Sequence, residues 1–248
     1  MKIAGIPLGA IGLAAVTSFA ALHARAAGEP GADARWEITA GYIWVYPRST
    51  SGPLRVTEVG GVPVRLEQPG TGVSISNSQT LAFTVAYAID RHWLAQLVLG
   101  WPVDQSLRGE GQLRNWGTLG KGQQMSPALL LKYRFGDPGD RLQPFLAGGL
   151  NYTAFRRSRV TNETFSASTY GPLAQTRSSA TPNFGYVAEM GLDWRVDRHW
   201  FVNGTLAYTP IRSTLKVQAD GTPQGRVRTA VDVKLHSLAV GLNLGYRF

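Results

Sequence analysis

The 248-residue chain carries a formal charge of +9, 29 glycines, 10% aromatic residues and no cysteine. Its mean hydropathy of −0.10 excludes a bundle of apolar transmembrane helices, and the lack of cysteine excludes disulfides as a source of stability. The length suits one all-β barrel domain or two smaller domains.

The chain opens with Lys2, an apolar run from Ile3 to Leu22, and then Ala24-Arg25-Ala26. A basic start, an apolar middle and an Ala-x-Ala site read as an export signal over residues 1–26. Pro7 and the small residues near its end argue against a permanent membrane helix. Cleavage after Ala26 leaves residues 27–248 as the folded domain, with 23 basic and 16 acidic residues and a net charge of +7.

From Arg35 to Tyr46 the residues alternate. Trp36, Ile38, Tyr42, Trp44 and Tyr46 share one face, so this is a strand with one apolar side. Seven more such segments follow: Thr80–Ile89, Trp93–Trp101, Pro127–Phe135, Gln143–Phe155, Phe184–Val196, a seventh from Trp200, and Leu235–Phe248. The seventh runs past Pro210 towards a hairpin tip near Asp220-Gly221. Each is long enough to cross a bilayer when tilted. Aromatics stand at both ends of the outward rows, as interface girdles do.

The connections alternate long and short. The short ones are Asp90-Arg91-His92, Gly136-Asp137-Pro138-Gly139-Asp140 and Asp197-Arg198-His199. The layout is all-β: an eight-stranded antiparallel transmembrane β-barrel with long extracellular loops and short periplasmic turns, in the outer membrane of a Gram-negative bacterium. An even strand number puts both termini on the periplasmic side. In the last strand Leu242, Leu244, Tyr246 and Phe248 lie in phase, and they are read as the membrane insertion signal offered to the barrel-assembly machinery.

The cations are scattered through the loops, for example at Arg48, Arg55, Arg108, Arg156 and Arg228. No basic helix and no glycine-rich phosphate loop accompanies them, so nucleic acid is not the expected partner. Outer-membrane lipid and lipopolysaccharide are.

The chain also resembles a known family, the OmpW/AlkL small outer-membrane barrels. The likeness is carried by Ser126-Pro127-Ala128-Leu129-Leu130-Leu131-Lys132-Tyr133-Arg134-Phe135, by Gln143–Thr153, by Asp90 followed by Trp93, by Gly191-Leu192-Asp193 and by Gly245-Tyr246-Arg247-Phe248. It implies passive uptake of small, mostly apolar compounds and names no particular compound.

A barrel of eight strands is barely wider than its own side chains, which excludes an open water-filled pore. Sorting the inward residues by height gives two groups. Glu37, Lys132, Arg134, Glu189, Asp193, Asn203, Asn243 and Arg247 lie towards the periplasm, where both signs of charge are expected to pair into a lumen plug. Ile43, Val45, Val98, Leu130, Phe155, Val187 and Leu235 lie towards the outside and are the expected binding site for small hydrophobic solutes. Pro47, Pro102, Pro127 and Pro210 fall near outer strand ends. Pro102 and Pro127 belong to neighbouring strands and lack ladder donors, so they mark a lateral seam through which a solute would leave.

Enzymatic and cofactor readings find little support. His236 and Ser237 are adjacent on a strand and point to opposite faces. No metal-ligand spacing and no Gly-x-Ser-x-Gly elbow is present. The competing readings are a structural or host-interaction barrel acting through its loops and, further off, a lipid-modifying enzyme.

Overall fold

The computed structural model describes residues 35–137 and 139–248, so the export signal expected over residues 1–26, residues 27–34 and Pro138 lie outside the described residues. The alternating segments become one closed wall. Its eight strands are β1 (Trp36–Ser51), β5 (Ser78–Ala88), β6 (Trp93–Gly100), β9 (Ala128–Arg134), β10 (Leu142–Val160), β12 (Asn183–Arg195), β13 (Trp200–Thr222) and β14 (Gly225–Arg247). Each pairs antiparallel with the next, and β14 pairs back onto β1 from Glu37↔Arg247 to Ser51↔Val233. Closure removes every free edge from the membrane level.

Apolar residues face outward. Ile38, Tyr42, Leu81, Phe83, Leu97, Leu129, Leu150, Tyr186 and Leu242 are all exposed. In water such a surface would drive aggregation, and against lipid it costs nothing. The inward row is short or polar, with Thr39, Gln96, Asn151 and Asn243 buried. Two inward glycines make room for aromatic rings. A Cβ on Gly191 would stand 2.5 Å from the ring of Phe145, and one on Gly245 would stand 2.2 Å from the ring of Phe201.

The two similar periplasmic turns use identical chemistry. Oδ1 of Asp90 accepts from the backbone N–H of His92 and of Trp93, each at 2.8 Å. Oδ1 of Asp197 does the same for His199 and Trp200, at 2.7 Å. The histidine of each turn stacks on a neighbouring tyrosine, His92 on Tyr133 and His199 on Tyr246. The tryptophan meets the same tyrosine edge-on.

Beyond the membrane the wall continues, and here the structure differs from expectation. The long connections are largely ordered. They contain β2 (Leu54–Val59), β3 (Val62–Gln68), β4 (Thr71–Ile75), β7 (Val103–Gly111), β8 (Thr118–Met125), β11 (Gln175–Ala180) and a two-turn helix α1 (Glu163–Tyr170). β2 extends the sheet from β14, β11 extends it from β13, and β8 extends it from β10. Segments such as Gln175-Thr-Arg-Ser-Ser-Ala180 have no apolar row, because neither face meets lipid, so their hydropathy shows no period. The last strand returns from the hairpin tip and begins at Gly225.

Pro47 lies inside β1 instead of ending it, and Pro210 lies inside β13, which runs past it as expected. The physical reason is local. The β1–β5 ladder stops at Val45↔Ser78, so Pro47 has no partner strand on that edge. The β12–β13 ladder stops at Ala188↔Tyr208, and β11 takes over only at Leu215, so Pro210 falls in the gap. Proline is tolerated where one edge of a strand has no partner.

Candidate functional site: a charged barrier, an apolar chamber and a break in the wall

The eight polar positions of the lower lumen come together. Nη2 of Arg134 on β9 donates to both oxygens of Glu37 on β1, at 3.0 and 2.7 Å. It also donates to Asp193 on β12 at 3.1 Å. Lys132 Nζ donates to the same Asp193 oxygen at 2.7 Å. Asn203 donates to the other oxygen at 2.7 Å, and Asn243 donates to Asn203 at 3.0 Å. Arg247 Nε donates to Glu37 at 2.8 Å. Glu189 accepts from Gln96 at 3.2 Å. Three cations and three carboxylates from four strands thus fill one cross-section. Glu37, Asp193, Lys132 and Arg134 survive burial there because they are paired and hydrogen-bonded, while Glu189 is held by a hydrogen bond from Gln96 alone.

Three members of this layer were missed in the sequence: Gln96, Phe145 and Phe201. The Nζ of Lys132 lies 3.7 Å from the centroid of the Phe145 ring, and the guanidinium of Arg247 lies 5.3 Å from that of Phe201. All three sit in the same inward phase as their polar neighbours, so alternation would have found them. The residual space in this layer is about 30 Å³, bounded by Ile43, Val98, Lys132, Glu189, Phe201 and Asn243 among others. At roughly 10–15 Å³ of such volume for each water, it holds two or three.

The seven apolar positions expected to form one binding site do not. Val98, Leu130 and Val187 pack with Phe145 and Ala147 into a tight layer on top of the charged one. Ile43 borders the small residual space, and Val45 is half-buried in the β1 ladder. Leu235 belongs to a separate, higher core with Val73, Leu119, Phe165, Ile211, Val231 and Val233. Only Phe155 reaches the larger cavity. The physical reason is the ordered extension: β2, β4, β7, β8 and α1 carry apolar side chains of their own over the barrel, so the open space lies above the expected level.

That cavity has a volume of about 120 Å³. Its walls include Leu54, Val73, Leu107, Leu119, Phe165 and Val231, and no acidic side chain lines it among the described residues. Cavities of about 150 Å³ with aliphatic and aromatic linings stay dry and hold one benzene-sized molecule. α1 is placed over it by its cap: Asn162 Oδ1 accepts from the N–H of Phe165 at 2.8 Å, which sets Phe165 and Tyr170 inward. Loop-borne residues such as Val73 and Leu119 had no periodic signal to announce them.

Pro102 and Pro127 flank a break in the wall. The β6–β9 ladder ends at Val98↔Ala128, and the β7–β8 ladder begins at Val103↔Gln124. Between these pairs each side is bound away from the other. The N–H of Trp101 donates to Leu81 O at 2.8 Å, and Thr80 Oγ1 donates to Trp101 O at 2.7 Å. On the other side the N–H of Tyr152 donates to Pro127 O at 3.0 Å, and Ser126 Oγ lies 2.9 Å from Thr153 Oγ1. Gln105 and Gly122, just above the break, line the chamber. The other interruption, between β12 and β13, is spanned by Ser213 Oγ to Thr181 O at 2.8 Å and by Thr181 N to Thr214 O at 3.0 Å.

His236 is exposed on the lipid side and Ser237 is buried on the lumen side, so the two face opposite ways. Leu242, Leu244 and Tyr246 form the outward row of β14. Phe248 donates its N–H to Trp36 O at 2.9 Å and meets Tyr246 edge-on.

A closed wall of eight strands, apolar towards lipid and girdled by aromatics at both rims, defines an outer-membrane β-barrel. Residues 38–248 match the family model described as the OmpW family, and the chain belongs to that family. It is 25% identical over 204 residues to outer membrane protein W of Escherichia coli strain K12, covering 82% of this chain and 87% of that one. It is 28% identical over 178 residues to the dibenzothiophene metabolism operon protein PahQ of Pseudomonas aeruginosa, covering 70% and 75%. In structure it is similar to the outer membrane protein OprG of Pseudomonas aeruginosa, with a TM-score of 0.72, 23% identity and coverage of 87% and 97%.

Proposed function

We propose that this barrel is a passive outer-membrane channel for small apolar compounds, with an exit through its wall rather than along its axis. The observation that carries the reading is the vertical order of three features. An apolar chamber stands above a layer of paired charges, and the break between Val98↔Ala128 and Val103↔Gln124 opens beside it. A compound gains on the order of 25 cal/mol for each Å² of apolar surface it removes from water in the chamber. Moving on through the barrier would mean separating buried ion pairs, at roughly 3–5 kcal/mol for each broken pair. Lipid beside the break is the nearer apolar phase. The relative that is named for a dibenzothiophene operon supports an aromatic, apolar class of solute.

The test is uptake into proteoliposomes holding the mature barrel. Labelled naphthalene and a labelled pentose are offered in parallel. The reading requires faster entry of the aromatic compound than protein-free vesicles give, with no gain for the sugar. Equal acceleration of both would show a continuous aqueous path and would end the lateral reading.

A further inference from the structure

The outward rows end differently on the two sides of the barrel. Arg48 on β1, Lys234 on β14 and Arg212 on β13 are all exposed and in phase with the lipid-facing residues below them. Each stands twelve residues from the periplasmic aromatic of its own strand, namely Trp36, Tyr246 and Trp200. At about 3.4 Å per residue and a tilt of about 40°, twelve residues climb about 30 Å, just past an apolar band about 25 Å tall. The three strands are neighbours. Arg48 is opposite His236, and Lys234 is opposite Arg212. Immediately below, Tyr46, Leu238 and Tyr208 share one rung, the last of the lipid belt.

These cations are not paired directly within the protein, although Lys234 lies in the field of the Asp232 carboxylate. Among the described residues, Arg48, Arg212 and Lys234 make no ion pair and no hydrogen bond. The nearest acid on β14, Asp232, is already engaged by Arg55 and by Thr214 Oγ1. Like charges placed directly opposite each other, as Lys234 and Arg212 are, weaken a sheet unless an anion lies between them. Lower on the far wall the outward row ends in aromatics, with Trp101 eight residues above Trp93 and Phe184 ten above Trp194. Higher up that wall also carries exposed cations, Arg156 and Arg159 on β10 and Lys121 on β8. What the β1–β14–β13 face adds is a set of cations on three neighbouring strands, each above its own lipid-facing row.

We propose that the outward face of β1, β14 and β13 at Arg48, Lys234 and Arg212 binds the phosphates of a lipopolysaccharide molecule in the outer leaflet. The two guanidinium forks suit phosphate oxygens bidentately, and Lys234 supplies a point charge between them. The acyl chains of the same lipid lie against Tyr46, Leu238 and Tyr208, so one molecule satisfies both the apolar rung and the basic one. His236, stacked on Tyr208 with its Nδ1 2.6 Å from the tyrosine oxygen, closes the gap between Arg48 and the aromatic belt.

The experiment uses the full barrel in phosphatidylcholine nanodiscs doped with lipid A, and reads lipid A retained by native mass spectrometry. The variant R48Q/R212Q/K234Q is compared with a loop control, R65Q/R114Q/R177Q. At roughly fivefold for each cation near a charged surface, the first variant loses on the order of 100-fold in retention, and the control loses little. The charge-keeping variant R48K/R212K/K234R recovers most of it. Wild-type protein offered dephosphorylated lipid A shows the same loss without any substitution, so the test stands even where a variant folds poorly. Equal retention of phosphorylated and dephosphorylated lipid A would overturn the proposal. An equal loss in the loop control would also overturn it, since net charge alone would then explain binding.

Discussion

Arg134 and Glu37 meet across the lumen, with Nη2 2.7 Å from Oε2, although β9 and β1 are separated in the wall by β5 and β6. This pair therefore ties opposite parts of the ring together. It also blocks the axis at the level where Lys132, Asp193 and Arg247 converge. R134Q removes one of the two cations on Glu37 and one of the two on Asp193, in a layer with almost no water. The expected cost is about 3–5 kcal/mol. The folded form should convert to the unfolded electrophoretic band at a lower temperature. Single-channel recording in planar bilayers should show brief openings that the wild-type barrel lacks. An R134Q barrel that melts and stays closed like the wild type would show that the network is decoration.

The break beside Pro102 and Pro127 gives a second expectation. Replacing both with serine restores two backbone donors, that of residue 102 facing the break and that of residue 127 facing Tyr152 on β10, and the strands beside the break are already in ladder above and below it. Each new neutral hydrogen bond contributes about 0.5–1.5 kcal/mol. The double variant should fold, melt slightly higher and take up naphthalene more slowly. Unchanged uptake in a folded double variant would move attention to the interruption between β12 and β13, which Ser213 and Thr181 now span.

The wall was legible in the sequence because lipid on one side and a narrow lumen on the other impose a strict period of two. The charged layer was legible for the same reason: Lys132, Arg134 and Asp193 sit in the inward phase of strands whose outward phase is unmistakable. The chamber was not. Val73, Leu107, Leu119 and Phe165 come from segments of five to nine residues that meet no lipid, so no row of apolar residues marks which side faces in. Their common burial arises only when β4, β7, β8 and α1 are stacked by long-range pairing. Val98 and Leu130 misled for a related reason. Both stand above the charged layer, but the wall is taller than its membrane part, so the open space lies higher still.

Asp90 and Asp197 give an expectation in pH. The backbone N–H groups of Trp93 and His92 hold the Asp90 carboxyl below the ordinary value of 3.8, and those of Trp200 and His199 do the same for Asp197. A lowered folded-state value means that the stabilisation is present above pH 3.8. It fades as pH falls through the lowered values. Melting temperature should be flat in this respect from pH 5 to 8 and should drop in stronger acid. The variant D90N/D197N keeps a neutral acceptor and should lose this part of the acid sensitivity. If its acid profile matches the wild type, other carboxylates govern the transition.

A substitution in the chamber separates binding from barrel integrity. Val231 is buried beside Val73 and Leu119, above the membrane-spanning part of β14. One aromatic ring that removes on the order of 150 Å² from water gains about 4 kcal/mol, which corresponds to a dissociation constant near 1 mM. Weak binding of this kind suits a passive route, because the solute must also leave. V231D introduces a carboxylate into a lining that also holds Lys121, Arg159 and Lys216, and its hydration offsets the apolar gain. Naphthalene binding, followed by ligand-observed NMR on the barrel in nanodiscs, should weaken at least tenfold. V231I, which keeps the surface apolar and removes some of the space, should weaken it less and should discriminate against larger ring systems. In both variants the charged layer is untouched, so the closed state in planar bilayers should persist. Undiminished binding in V231D would place the solute elsewhere, and the lower apolar layer around Val98 and Leu130 would be the next region to probe.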